Sequence, residues 1–459
     1  MKKTVFALSV LCLAAAAFGE ATITDVSLRQ RWPWGREVDV YFTVRGATEP
    51  IAVRPTFTVG GEPLTVADSA LGGDRVGLLS GLHHLVWTPS ATDFGDRTKL
   101  LDVKVSLAPA PMPLYAIYDL TDAGKPKNPT YVFEDDLRAG KWGTWQENPY
   151  DYINSVIWTG VTEDMNYKTN KLVLRYVYPT TDPKWVAHAG ADTYQMGTPT
   201  DTPDEGSTAN MTNENMSHGV ANCSPQQTVK LTKGFWLGVF EVTQLQYALL
   251  TESWPAYYDN LECRPARPVE CLTIGDVRGL PSKGYAWPSN GHTVNPDSFL
   301  GKLRALTGAA FDLPLEAQWE YACRAGSTGL RYGDMKTICR SWYRSWDYGY
   351  NQKTPTYITL SGGTAAVGTY APNAWGLYDM LGNVSEFCLN AWSTYANAAV
   401  AGTDPIGPAG TDDARVLRGG EYYNYIGRST APFRFSHAGA STRKYENSIF
   451  GMRVCLPIE

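Results

Sequence analysis

Beyond its first twenty residues the sequence has no stretch near the roughly 18 consecutive apolar residues that a membrane-spanning helix needs, so no membrane span is expected. Charge of a single sign is equally scarce. The 40 Lys and Arg stand against 46 Asp and Glu, giving a net charge of -6 with no basic cluster, which offers the backbone of a nucleic acid little to hold. Histidine is rare, at six residues, and the eight cysteines form no Cys-x-x-Cys pair, so no structural zinc site is expected. Also missing are His-Glu-x-x-His, Gly-x-Ser-x-Gly, a phosphate-binding glycine loop and an EF-hand loop. Their absence removes support for conventional hydrolase and nucleotide-binding readings.

What the chain has in quantity is 43 Gly, 29 Pro, 27 Tyr and 15 Trp, a composition of turns and packed aromatic rings rather than long helices. Lys2 and Lys3 precede an apolar run from Val5 to Ala17, with small Ala17 and Gly19 before Glu20. This pattern reads as a secretory signal peptide over residues 1–19 and implies a secreted, periplasmic or cell-envelope protein. Seven cysteines follow it, so disulfides are permitted and at least one thiol stays unpaired or pairs between chains. A length of 459 residues suggests two or three domains.

From residue 20 to 108 apolar residues recur with period two. Val38, Val40, Phe42 and Val44 alternate with polar neighbours, as do Leu101, Val103, Val105 and Leu107. A small all-β module, an immunoglobulin-like sandwich, is expected there, serving as a spacer or as a binding module. Ala108-Pro-Ala-Pro-Met-Pro113 reads as a stiff junction, opening a proline-rich and hairpin segment over 109–170. Lys171–Val177 reads as a strand. Three helices follow: one opened by a Thr243-Gln-Leu-Gln246 capping box with Leu245, Ala248 and Leu249 as its apolar stripe; one from Asp297 to Thr307 capped by Gly308; and one from Glu316 to Arg324 closing at Gly326.

Six stretches then carry a resemblance. They are Phe235-Trp-Leu-Gly-Val-Phe-Glu-Val-Thr-Gln-Leu-Gln-Tyr247, Arg267-Pro-Val-Glu-Cys-Leu-Thr273, Phe311-Asp-Leu-Pro-Leu-Glu-Ala-Gln-Trp-Glu-Tyr-Ala-Cys-Arg-Ala-Gly326, Pro372-Asn-Ala-Trp-Gly-Leu-Tyr-Asp-Met-Leu-Gly-Asn-Val-Ser-Glu-Phe387, and Arg418-Gly-Gly420 with Gly451-Met-Arg-Val454. In this order they resemble the formylglycine-generating enzyme, or sulfatase-modifying factor, family over residues 171–459. The resemblance implies an α+β, loop-rich, C-type-lectin-like fold after the all-β module. It also implies oxidation of a sulfatase cysteine by two active-site cysteines, placed four and nine residues after the last Gly of Arg-Gly-Gly. Those positions are Asn424 and Ser429 here. An amide and a hydroxyl cannot replace soft thiolates on copper(I), so copper is not expected and neither is family catalysis.

The resemblance further implies one structural calcium site at Asp379, Gly382, Val384 and Glu386, with side-chain oxygens at the first and last and carbonyls between. The open alternative is a turn whose Asp and Glu face solvent or cap amides. Ser361–Val367 lacks the Asp of the family's second calcium site. Cys323 and Cys455 lie in regions that pair as a disulfide in some members. Tyr422, Tyr423, Asn424, Tyr425 and Arg428 occupy the family's substrate position with the chemistry of an adaptable binding surface, and internal packing is the alternative for the tyrosines. Three functions stay open: a noncatalytic protein binding a protein, peptide or glycan ligand, a sulfatase among the candidates; an enzyme with an unusual site; and a structural envelope component.

Overall fold

The computed structural model describes residues 21–31, 34–90, 93, 102–121, 128–148, 156–200, 223–259, 264–341, 363–395, 400–410, 413–422, 428–437 and 448–457. The expected signal peptide lies outside them. The chain divides into two compact units, Met1–Leu114 with Asn128–Phe133, and Tyr115–Lys127 with Glu134–Glu459.

In the first unit Thr22–Gln30, Val38–Arg45, Gly81–Trp87 and Leu71–Gly73 form one sheet in that order, and Ile51–Val59 pairs with Glu62–Leu64, Val76–Leu78 and Val103–Ala110 in a second. The period-two pattern has its expected outcome. Val38, Val40, Phe42 and Val44 are buried with Leu85 and Trp87 against Ile51, Val53 and Phe57 of the other sheet. The expected junction begins later than its prolines suggest, because Ala108, Pro109 and Ala110 still pair with Arg54, Val53 and Ala52. Pro109 can stay in the strand because, among the described residues, Val103–Ala110 pairs on one side only, with Ile51–Val59, and Val53 opposite Pro109 donates instead to Arg75 O.

The second unit is mixed α and β. Tyr115–Asp119, Lys171–Val177, Phe235–Gly238 and Cys455–Pro457 run side by side, all antiparallel. A second sheet orders Arg434–His437, Arg415–Arg418, Ser385–Ala391 and Phe450–Gly451. Helix Gln244–Thr251 has the expected reciprocal cap between Thr243 and Gln246. Its buried face differs from the expected stripe: Leu245 and Leu249 are half-buried, while Gln244 and Gln246 are buried because their amides donate to Tyr258 O and Lys171 O. Helix Phe299–Thr307 starts after Ser298, which caps Gly301 N, and ends at left-handed Gly308. Helix Glu316–Arg324 turns left-handed already at Ala325, φ 44°, one residue before Gly326. The expected Cys323–Cys455 bridge is not formed: both are thiols, Cys323 aimed at Met380 O and Cys455 at Gln318 Oε1.

The unit is tied by buried charge. Glu316, Glu320 and Arg324 follow one helical face at spacing four, and Arg418 and Arg434 are direct cross-strand partners. Arg434 clasps Glu316 at 2.6 and 3.0 Å, and Arg418 and Arg324 both bond Glu320, which also accepts from Gly197 N. Glu386 accepts from Arg453 and, at 2.6 Å, from the indole of Trp319, whose ring lies under Arg418. Removing one partner strands the others in low dielectric. Glu320→Gln is expected to cost about 3–5 kcal/mol in denaturant unfolding, whereas Glu147→Gln, in an exposed pair with Arg138, should cost far less.

Candidate functional site

Arg418-Gly-Gly420 turns the chain off the second sheet. Gly419 and Gly420 have φ of 92° and 72°, and a Cβ on Gly420 would lie 2.7 Å from Arg428 O, so the turn needs glycine for conformation and for space. Past it, Tyr422 N donates to Asn383 O at 3.0 Å, which brings the expected ligand segment against the expected calcium segment. The Tyr422 ring is buried. Its hydroxyl donates to Tyr258 Oη at 2.7 Å and lies 3.2 Å from Ser448 Oγ, so this tyrosine packs and positions rather than facing solvent. Arg428 is half-buried with its guanidinium over Phe433. Tyr423, Asn424 and Tyr425 lie outside the described residues.

Ser429 is fully buried, and its carbonyl accepts from Arg331 Nε at 3.2 Å. Its hydroxyl and that of Ser341 sit beside the thiol of Cys339, a neighbour that no motif in the sequence announces. Burial pushes the Cys339 thiol up to about 12, the two hydroxyls offsetting this only in part. Cys339 Sγ would be 2.5 Å from a Cβ on Gly382, so the sulfur is packed against backbone. A protonated, enclosed thiol beside two hydroxyls supplies neither a nucleophile nor a pair of soft ligands.

Asp379 is 1% exposed in a left-handed conformation, φ 55°, with Oδ2 accepting from Gly368 N at 2.6 Å and Oδ1 without a hydrogen-bond partner among the described residues. Glu386, the other carboxylate expected on calcium, has both oxygens on Arg453 and one on Trp319. Val384 N donates to Glu241, which also accepts from Asn383 Nδ2. Calcium in such a site needs carboxylates to balance its charge. One of the two is committed to an arginine, so the four residues do not fit the ion as the expected set. Among the described residues no three His, Cys, Asp or Glu side chains converge as metal ligands.

Glu421, directly after Gly420, is a further group that residue pattern did not single out. Ser385 Oγ donates to its Oε2 at 3.1 Å, and Oε1 has no hydrogen-bond partner among the described residues. Burial raises its carboxyl from the ordinary 4.5 to about 7, against the pull of Arg428 and Ser385.

The family model described as the sulfatase-modifying factor enzyme 1-like domain matches residues 193–456. The chain is 37% identical over 233 residues to the formylglycine-generating enzyme of Thermomonospora curvata, covering 43% of this chain and 74% of that one. It is 44% identical over 115 residues to the enzyme of the same description in Streptomyces coelicolor, spanning 24% of this chain and about a third, 35%, of that relative. A serine/threonine-protein kinase, pkn1, of Chlamydia pneumoniae matches at 32% identity over 143 residues, 31% of this chain and 20% of the kinase. Among solved structures, PvdO from Pseudomonas aeruginosa aligns with a TM-score of 0.43 at 20% identity, covering 62% of this chain and 94% of PvdO.

The raised Glu421 carboxyl has a consequence for stability. The folded chain holds a proton there more tightly than the unfolded chain, so its contribution is complete below about pH 4.5 and is lost as pH rises through about 7. Glu421→Gln, which stays neutral, is expected to be more stable than the parent by about 1–3 kcal/mol at pH 8 and to show no such gain at pH 4.5. Denaturation midpoints across this range test it, and parallel profiles for the two chains would remove Glu421 as a titrating group.

Proposed function

The chain belongs to the sulfatase-modifying factor enzyme 1-like domain family, and from that premise we propose that it is an exported, noncatalytic member that binds a protein, peptide or glycan through the surface formed by residues 421–449. The carrying observation is at Ser429. At one of the two positions the family resemblance assigns to catalytic cysteines stands a buried hydroxyl, and the thiol beside it is Cys339, held protonated by burial. Oxygen activation on copper needs paired thiolates, and one neutral thiol with two hydroxyls supplies no such pair.

Binding draws support from the construction of the surface. The Tyr422–Tyr258–Ser448 hydroxyl cluster, the packing of Arg428 on Phe433 and the Arg331 contact to Ser429 fix the two ends of the segment that carries Tyr423, Asn424 and Tyr425. Tyrosine with short polar residues gives large contact area at low entropic cost once its flanks are held. A sulfatase is one partner this reading admits, because affinity for its cysteine motif does not require turnover.

The test uses a Cys-x-Pro-x-Arg peptide with the purified chain, copper and reductant, read by mass spectrometry for formylglycine and by fluorescence for binding. The expected result is saturable binding without conversion, weakened at least about tenfold in Tyr423→Ala with folding unchanged. Formylglycine product would overturn the noncatalytic reading. Absence of binding to this peptide and to a glycan and surface-protein panel would overturn the binding reading in favour of a structural envelope role.

A further inference from the structure

Helix Gln244–Thr251 ends at Glu252, which turns left-handed with φ 58°, and the residues after it put two aromatic rings into solvent. Trp254 is 36% exposed and Tyr257 46%, with Ala256 buried between them. Four large apolar side chains are exposed among the described residues of the second unit, and these two stand three residues apart. A loop that had to be ordered on binding would lose affinity to the entropy of ordering it, so what holds this loop decides whether its rings can serve a ligand.

The backbone under the rings is pinned from beneath. Glu270, fully buried, accepts from Tyr257 N at 2.9 Å, from Tyr258 N at 2.7 Å and from the Cys271 thiol at 2.9 Å. Gln244 Nε2 donates to Tyr258 O at 2.9 Å. The Tyr258 ring lies against Gly363, where a Cβ would come within 2.4 Å of its Cδ1. One hydrogen bond joins this loop to the 421–449 surface: Tyr258 Oη accepts from Tyr422 at 2.7 Å, with the two rings edge to face at 5.2 Å. Tyr257 meets Tyr258 in the same manner at 5.0 Å, so the exposed ring is in contact with the ring that holds Tyr422.

The same geometry selects among ligand chemistries. Tyr257 N, Tyr258 N and Tyr258 O are committed inward and cannot pair with an extended peptide. A ring buries about 150–250 Å², so two rings supply only part of the roughly 800 Å² per partner of a specific protein interface. Exposed Glu252 and Asp259 carry one sign of charge, and half-buried Arg264, its guanidinium 4.1 Å over the Trp254 ring, carries the other, so neither sign dominates. What the loop offers is ring surface flanked in sequence by the side-chain oxygens of Glu252, Ser253 and Asp259. A sugar ring is the complement, with an apolar C–H face for the aromatic rings and hydroxyls for the oxygens. We propose that the 252–258 loop is a glycan-binding wall of the 421–449 surface, on which Trp254 and Tyr257 stack against a neutral oligosaccharide. This inference rests on the binding reading above and narrows its ligand to a glycan.

The experiment is calorimetric titration of the full chain with neutral hexasaccharides of glucose, xylose and N-acetylglucosamine, alongside the Cys-x-Pro-x-Arg peptide. At least one hexasaccharide is expected to bind saturably, with affinity at least about tenfold weaker in Trp254→Ala and in Tyr257→Ala. Both side chains are exposed, so the two variants are expected to keep the parent Tm. Tyr257→Phe, which keeps the ring, is expected to retain most of the affinity. Absence of saturable heat with every hexasaccharide would overturn the glycan assignment, as would binding indifferent to both alanine substitutions. Peptide binding that falls in Tyr423→Ala but not in Trp254→Ala or Tyr257→Ala would overturn this inference and leave the binding reading standing. Glycan binding that falls in Trp254→Ala and Tyr257→Ala but not in Tyr423→Ala would support the loop as a glycan site and remove the 421–449 surface from it.

Discussion

The C-terminal unit depends on burying arginine. Arg324, Arg418, Arg434 and Arg453 are all enclosed, and each finds a carboxylate from Glu316, Glu320 or Glu386. A loop-rich fold has few long ladders to hold distant segments together, and a guanidinium supplies five directed donors from one side chain. Arg418 uses them on Glu320 and on the carbonyls of Pro432 and Phe433, and Arg453 on Glu386, Gly238 O and Tyr378 O. Helix, sheet and turn are thereby cross-tied at points where no backbone ladder joins them.

That arrangement reassigns the motifs. Arg418 of Arg-Gly-Gly, Arg453 of Gly-Met-Arg-Val and Glu316 and Glu320 of the helical motif are structural ties of a family scaffold. Ser429 and Cys339 pack as a hydroxyl beside a thiol that burial pushes up, next to the turn kept by Gly419 and Gly420.

The same economy of charge runs through the neighbouring acids. Glu386 is spent on Arg453 and Trp319, Glu241 on Asn383 and Val384, and Asp379 on Gly368, leaving open oxygens only on Asp379 and Glu421 among these described carboxylates. In a medium of low dielectric each such commitment removes a ligand from any competing ion. Glu386, expected as a calcium ligand, has both of its oxygens accepting from Arg453.

The sequence alone determined whatever is local or periodic. Alternation at Val38–Val44 set the core of the first unit, the Thr243–Gln246 box and Gly308 set helix ends, and the ordered motifs set the family and the identities of Asn424 and Ser429. What local pattern left undetermined was partnership across long separations. Gln244 and Gln246 are buried because distant carbonyls accept from them, Cys339 meets Ser429 across the chain, and Tyr422 turns inward onto Tyr258. Periodicity records which face of an element is apolar. It carries no record of which polar side chain from another part of the chain will meet it, because that meeting depends on tertiary packing and on the cost of leaving a buried charge unpaired.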